Sequence, residues 1–222
     1  MSAGADFHTS VDSVLTLYDR RVDAWQELDE PWRASLELAW EAYLAGTIPV
    51  GSVVAAPDGS VVARGRNRIF DPPGQRLSGS RLAHAEVDAL AQLPVTARYR
   101  DHVLYSTLEP CLLCVAATLH ATVGRIEYAT ADPFGGGCTG AIDTAHWRRS
   151  APEIGSPLGG WPGQLAAALQ SAFWQSHPEH LRSADIVETF GMDAQRAGAR
   201  VLDLDGSLPR FGEALPRLLD CL

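Results

Sequence analysis

The chain has 222 residues with 27 acidic against 18 basic side chains, and its net charge of −9 counts against a protein built to grip a phosphate backbone. An apolar fraction of 46% and a charged fraction of 20% suit a globular protein with one sizeable core. No run of about 18 apolar residues offers a membrane-spanning helix, and the first residues lack the basic and apolar regions of a signal peptide.

After a polar start over residues 1–12, Val14, Leu15, Tyr18, Val22 and Trp25 recur at helical spacing and predict a helix over Val11–Trp25. Asp29-Glu30-Pro31 is a helix entry, Leu36, Trp40, Tyr43 and Leu44 form the apolar stripe behind it, and Gly46 closes it. Val50–Ala56 and Ser60–Arg66 read as strands joined at the turn Pro57-Asp58-Gly59. Arg64, Arg66 and Arg68 alternate on that second strand. In a chain without lysine they read as solvated charges. A loop from Asp71 to Ser80 leads to His84, and a helix over Ala85–Leu93 is stopped by Pro94. Val103–Thr107 has the apolar character of a buried strand, Cys111 to about Ala121 is a third helix, and Arg125–Thr130 is another strand. The order αββαβαβ implies a sheet covered by helices.

Two stretches in this run carry chemistry: His84-Ala85-Glu86 and Pro110-Cys111-Leu112-Leu113-Cys114. One His and two Cys suit Zn²⁺, and three protein ligands leave the fourth tetrahedral position open, as a catalytic zinc requires. Cys111 and Cys114, three apart on the first turn of a helix, share a face, and a helix N-terminus favours their thiolate forms. Pro110 suits a helix entry because its missing N–H is no loss there. His84 and Glu86 diverge on a regular helix, so they converge on one centre only if His84 sits where the helix begins. Glu86 would then stand beside the metal without ligating it.

H-x-E…P-C-x-x-C is the signature of zinc nucleobase deaminases. The wider run Tyr105-Ser106-Thr107-Leu108-Glu109-Pro110-Cys111-Leu112-Leu113-Cys114 resembles the tRNA adenosine deaminase and guanine deaminase branch of the cytidine deaminase superfamily. The resemblance covers residues 32–131 and implies an α/β fold, a three-layer α/β/α sandwich with a mixed sheet of about five strands, plus extra helices at both termini. It implies one Zn²⁺ held by His84, Cys111 and Cys114, with Glu86 as the proton carrier of a hydrolytic deamination. It places Asn67, at the end of the second strand, against the substrate; a turn-forming Asn is the alternative. Ala85 and Pro110, inside the two motifs, join Asn67 as expected substrate contacts. Glu109 either touches the base or positions the turn. A homodimer is also implied.

The expected substrate is a small free base, nucleoside or nucleotide, with a guanine- or adenine-type purine ahead of cytosine, because the acidic balance disfavours nucleic acid. The alternatives are a tRNA adenosine deaminase, favoured by Ile48-Pro49-Val50-Gly51 at the opening of the core, and a non-catalytic zinc-bearing partner subunit, disfavoured by the presence of Glu86. Cys138 and Cys221 do not amount to a disulfide framework, and a reducing cytoplasm is expected.

Beyond the motifs, residues 132–163 hold eight Gly, four Pro and two Trp with little periodicity, and read as a loop that borders the active site. Asp132-Pro133-Phe134-Gly135-Gly136-Gly137 lacks the ending of a phosphate loop and reads as a flexible lid segment. Gln164–Gln175, Ala184–Phe190 and Leu208–Leu222 read as helices, and Val201–Gly206 as a turn or an added strand. The expected organisation is an N-terminal helical extension over 1–31, a zinc deaminase core over 32–131, and a loop and helical extension over 132–222 packed on the core.

Overall fold

The computed structural model describes residues 24–74, 77–140, 143–204 and 210–222. The helix expected over Val11–Trp25 lies, up to residue 23, outside the described residues. Helix α1 (Glu30–Leu44) carries Pro31 in its first turn and is followed by Gly46 at φ 70°, as its sequence signals require. Its buried stripe is Trp32, Leu36, Ala39 and Trp40, whereas Leu44, expected on that stripe, is 41% exposed. Strands β1 (Gly51–Ala55) and β2 (Val61–Arg66) form the expected hairpin. At its turn Gly59 takes φ 85°, and Asp58 accepts hydrogen bonds from the amide and hydroxyl of Ser60.

Then follow α2 (Ala85–Leu90), β3 (Val103–Leu108), α3 (Leu112–His120) and β4 (Arg125–Thr130). Helix α2 ends three residues earlier than expected, because residues 91–93 tighten into turns. The segment 132–163 is more than a loop: it contains α4 (Ala145–Ser150) and a two-residue strand, β5 (Glu153–Ile154), parallel to β4. Arg125 ties this edge by pairing with Glu127 on its own strand and Glu153 on the neighbour. The sheet order is β2-β1-β3-β4-β5, antiparallel at β2/β1 and β1/β3 and parallel at β3/β4 and β4/β5, a mixed five-stranded sheet.

The chain closes with α5 (Gly160–Ser176), α6 (Ser183–Thr189), α7 (Gly191–Leu202) and α8 (Phe211–Asp220). No local signal in the sequence announces helix α7. Val201 and Leu202 end it, so no added strand forms from them, and Asp205 and Gly206 lie outside the described residues. One core lies between the sheet and α2 and α3, built on Val54, Leu104, Val115 and Ile126. The opposite layer is a second core in which Leu36 and Trp40 of α1 meet Leu165 and Leu169 of α5, Val201 of α7 and Leu215 and Leu218 of α8. Helices on both faces of a mixed sheet make the three-layer α/β/α architecture. Among the described residues no helix is long and apolar enough to cross a membrane.

Candidate active site

Both motif stretches are at helix starts, and the sheet puts them there. Residue 65 is glycine because α2 packs directly on β2: a Cβ would stand 2.2 Å from the Ala85 carbonyl oxygen and 2.4 Å from the Ala89 nitrogen. His84 is the N-cap of α2 with extended backbone (φ −70°, ψ 151°), so its ring and the Glu86 carboxyl converge although they are two residues apart. Cys111 is likewise the extended N-cap of α3 (φ −71°, ψ 171°), and Cys114 follows on the first turn.

The three donor atoms lie close together. The Cys111 and Cys114 sulfurs are 3.6 Å apart, and the His84 Nδ1 is 3.6 and 3.5 Å from them. Zn–S bonds of about 2.3 Å and a Zn–N bond of about 2.0 Å at tetrahedral angles require separations of about 3.8 and 3.5 Å, so the triangle fits zinc. Hydrogen bonding to Cys114 leads the pull on the Cys111 thiol, down to about 4. Cys114 is pushed well up by that same contact and then by burial. A bound zinc would take both sulfurs as thiolates. His84 is raised, first through its contact with Cys111.

Glu86 is 4% exposed. One carboxyl oxygen accepts from the Ser106 hydroxyl at 3.1 Å and the other from the Cys114 thiol at 3.3 Å. Burial pushes its carboxyl up, the condition under which a carboxylate can both take and return a proton.

The cluster opens on a cavity of about 320 Å³ lined by His84, Glu86, Cys111, Asn67, Glu109 and Asp132 among others. Asn67 is buried, and its Oδ1 accepts from the Thr47 hydroxyl at 2.9 Å and the Ile69 amide at 3.0 Å. That fixes the amide orientation and leaves Nδ2, without a hydrogen-bond partner among the described residues, as a donor toward the cavity. Ala85 and Pro110 are buried and do not line this cavity. Glu109 holds the next segment in place, accepting from the Asp132 amide at 3.2 Å and the Cys138 amide at 3.1 Å. Of residues 132–163, Asp132, Phe134 and Gly135 border the cavity, while α4 and β5 run on to the sheet edge.

Four lining residues that the motifs do not announce come from far along the chain: Gln170 and Trp174 on α5, Ile186 on α6 and Phe190 after it. Gln170, 2% exposed, donates its Nε2–H to the Pro49 carbonyl at 3.1 Å, so its Oε1 is the atom left for the cavity. The charge expected to be solvated on β2 is largely paired. Arg66 forks onto Asp71, and Arg68 reaches Asp71 and Asp88. His120 lies on the far end of α3, edge-on to His146.

Residues 26–130 match the cytidine and deoxycytidylate deaminase zinc-binding region. The chain is 36% identical over 136 residues to the tRNA-specific adenosine deaminase of Agrobacterium fabrum, a match covering 55% of this chain and 82% of that one. It therefore belongs to the cytidine and deoxycytidylate deaminase family, whose cofactor is zinc, and His84, Cys111 and Cys114 can form the zinc site. A tRNA(Ile)-lysidine synthase of Deinococcus deserti is 34% identical over 165 residues, 72% of this chain, but the chain spans only 29% of that relative. The guanine deaminase of Nitrosomonas europaea, at 19% identity, superposes with a TM-score of 0.50 over 66% of this chain and 85% of that one, a likeness of fold alone.

Proposed function

We propose that the chain is a zinc-dependent hydrolytic deaminase of adenine presented in tRNA. The carrying observation is the buried Glu86 carboxyl beside the His84, Cys111 and Cys114 donors at the floor of a base-sized cavity. Zinc held there by His84, Cys111 and Cys114 would lower the pKa of a water toward neutrality. Glu86 takes a proton from the attacking water and delivers it to the ring nitrogen beside the amino-bearing carbon. The hydroxide left behind adds to that carbon, and Glu86 then moves the added hydroxyl's proton to the amine, which leaves as ammonia as the C–N bond breaks. The Asn67 Nδ2–H donates to the base or sugar and fixes its position, and Ser106 holds the Glu86 carboxyl between transfers.

The tRNA-specific relatives support adenine in RNA over a free base. The net charge of −9 favours the second reading, a free purine base, nucleoside or nucleotide. Ammonia release from a tRNA anticodon loop, free purines and cytosine compounds, assayed side by side, separates the two. Turnover of the small compounds with the RNA untouched would replace the first reading by the second. The same reading takes residues 32–131 as the catalytic core, 1–31 and 132–222 as additions, and two copies of the chain as the working unit, which sedimentation equilibrium would test.

A further inference from the structure

The cavity over the zinc donors does not end at the base-sized chamber. A groove of about 600 Å³ runs on from it and shares His84, Trp174 and Ile186 as lining. Its outer walls are the turn before α2, which supplies Arg81, and the entry to α6, which supplies His180 and Arg182. Among the described residues, none of its eleven lining side chains is acidic, although acidic side chains outnumber basic ones by 27 to 18 in the chain. Arg81 has no carboxylate partner among the described residues. Arg182, 65% exposed, makes a 3.7 Å contact with Asp185, itself 61% exposed, and such a pair holds the guanidinium weakly. Glu179 stands outside, 3.9 Å from His180. A flat surface completes the groove: the Phe70 ring, 41% exposed, stacks on His180 with centroids 4.8 Å apart and planes 20° apart.

Cationic walls and stacking rings one cavity away from the reacting base fit a phosphodiester-linked neighbouring nucleotide. The geometry points to this groove as the site for the nucleotide next to the deaminated one in an RNA strand, with Arg81 and Arg182 on its phosphates and Phe70 and His180 under its base. This rests on the RNA reading above and adds the residues that hold the strand. An overall acidic protein thereby keeps a local cationic track at its active site.

The test is binding of a fluorescently labelled RNA hairpin, with adenosine in its loop, to the zinc-loaded protein across a salt series. In the double variant R81A/R182A, affinity should fall on the order of tenfold, and the slope of log K against log salt should flatten by about 0.7 for each phosphate no longer neutralised. The R148A/R149A variant on α4 should bind like the wild type. Phe70→Ala should weaken binding without changing the slope. Zinc content and circular dichroism confirm that each variant is folded. Wild-type binding by R81A/R182A, or an equal drop in affinity for both arginine pairs, would overturn the groove. Inosine formation separates this from the RNA reading. A hairpin held by the two arginines but never deaminated refutes that reading alone. Equal deamination and binding by wild type and R81A/R182A refute the groove alone. A hairpin neither bound nor deaminated refutes both.

Discussion

Glu86 is buried with the Ser106 hydroxyl and the Cys114 sulfur at its oxygens, a setting that makes it a proton carrier. Glu86→Gln preserves size and hydrogen-bonding shape but cannot carry the proton. Turnover should fall by about 10²–10⁴-fold while the zinc content by elemental analysis stays that of the wild type. Near-normal turnover would remove Glu86 from the mechanism. Asn67→Ala should lower kcat/KM with zinc retained, because the Thr47 and Ile69 contacts use its oxygen and leave only the nitrogen for substrate. If kcat/KM is unchanged, the residue serves the strand end. The metal donors and Glu86 are legible at this scale because each lies within a few residues of another in the chain. Gln170 and Trp174 are not: they are ordinary helix residues until α5 is laid over β3 and β4 and Gln170 reaches Pro49, 121 residues upstream.

At the scale of elements, the site depends on how closely α2 lies on β2. Gly65→Ala would drive a methyl group into the Ala85 and Ala89 backbone. Overpacking of this kind costs about 1–3 kcal/mol, and here it also shifts the helix start that carries His84. The melting temperature and the zinc affinity should therefore fall together. Gly59→Ala, at the hairpin turn with φ 85° and open space around it, should cost stability through backbone strain and leave zinc affinity alone. Equal zinc affinity in both variants would show that the α2 contact does not position His84. Glu109 is the corresponding device at the other motif. Its two oxygens accept from amides on opposite sides of the Asp132–Cys138 turn. Glu109→Gln keeps one acceptor oxygen and turns the other into a donor, so hydrogen exchange at these two amides should speed up with zinc content unchanged. Unaltered exchange would mean that the backbone of the turn holds itself.

Across the whole molecule, α1 belongs to two units at once: it covers the sheet and forms a common core with α5, α7 and α8. The C-terminal helices should therefore not melt apart from the catalytic core. Leu218, fully buried in α8, supplies a test. Leu218→Ala should cost about 2–5 kcal/mol and lower a single unfolding transition followed both by circular dichroism and by zinc release. Two separate transitions would instead make residues 132–222 an independent unit.

The sequence by itself determined the parts whose signals are local: the hairpin at Pro57-Asp58-Gly59, the αββαβαβ order, and the zinc donors at two helix starts with Glu86 beside them. It could not determine that residues 132–163 contain β5, because a two-residue strand has too few side chains for a period and exists only through its pairing with β4. Nor could it reveal α7. Gly191, Gly198 and the charges of Asp193, Arg196 and Arg200 dilute its apolar pattern, and Gly198 is tolerated because α7 packs so tightly on α5 that a Cβ would reach the Ala172 nitrogen at 2.7 Å. Tertiary structure alone decided which arginines are held by Asp71 and Asp88 and which, Arg81 and the loosely paired Arg182, line the groove. Charge counted along a chain has no address, and its effect depends on the carboxylates that the fold brings within reach.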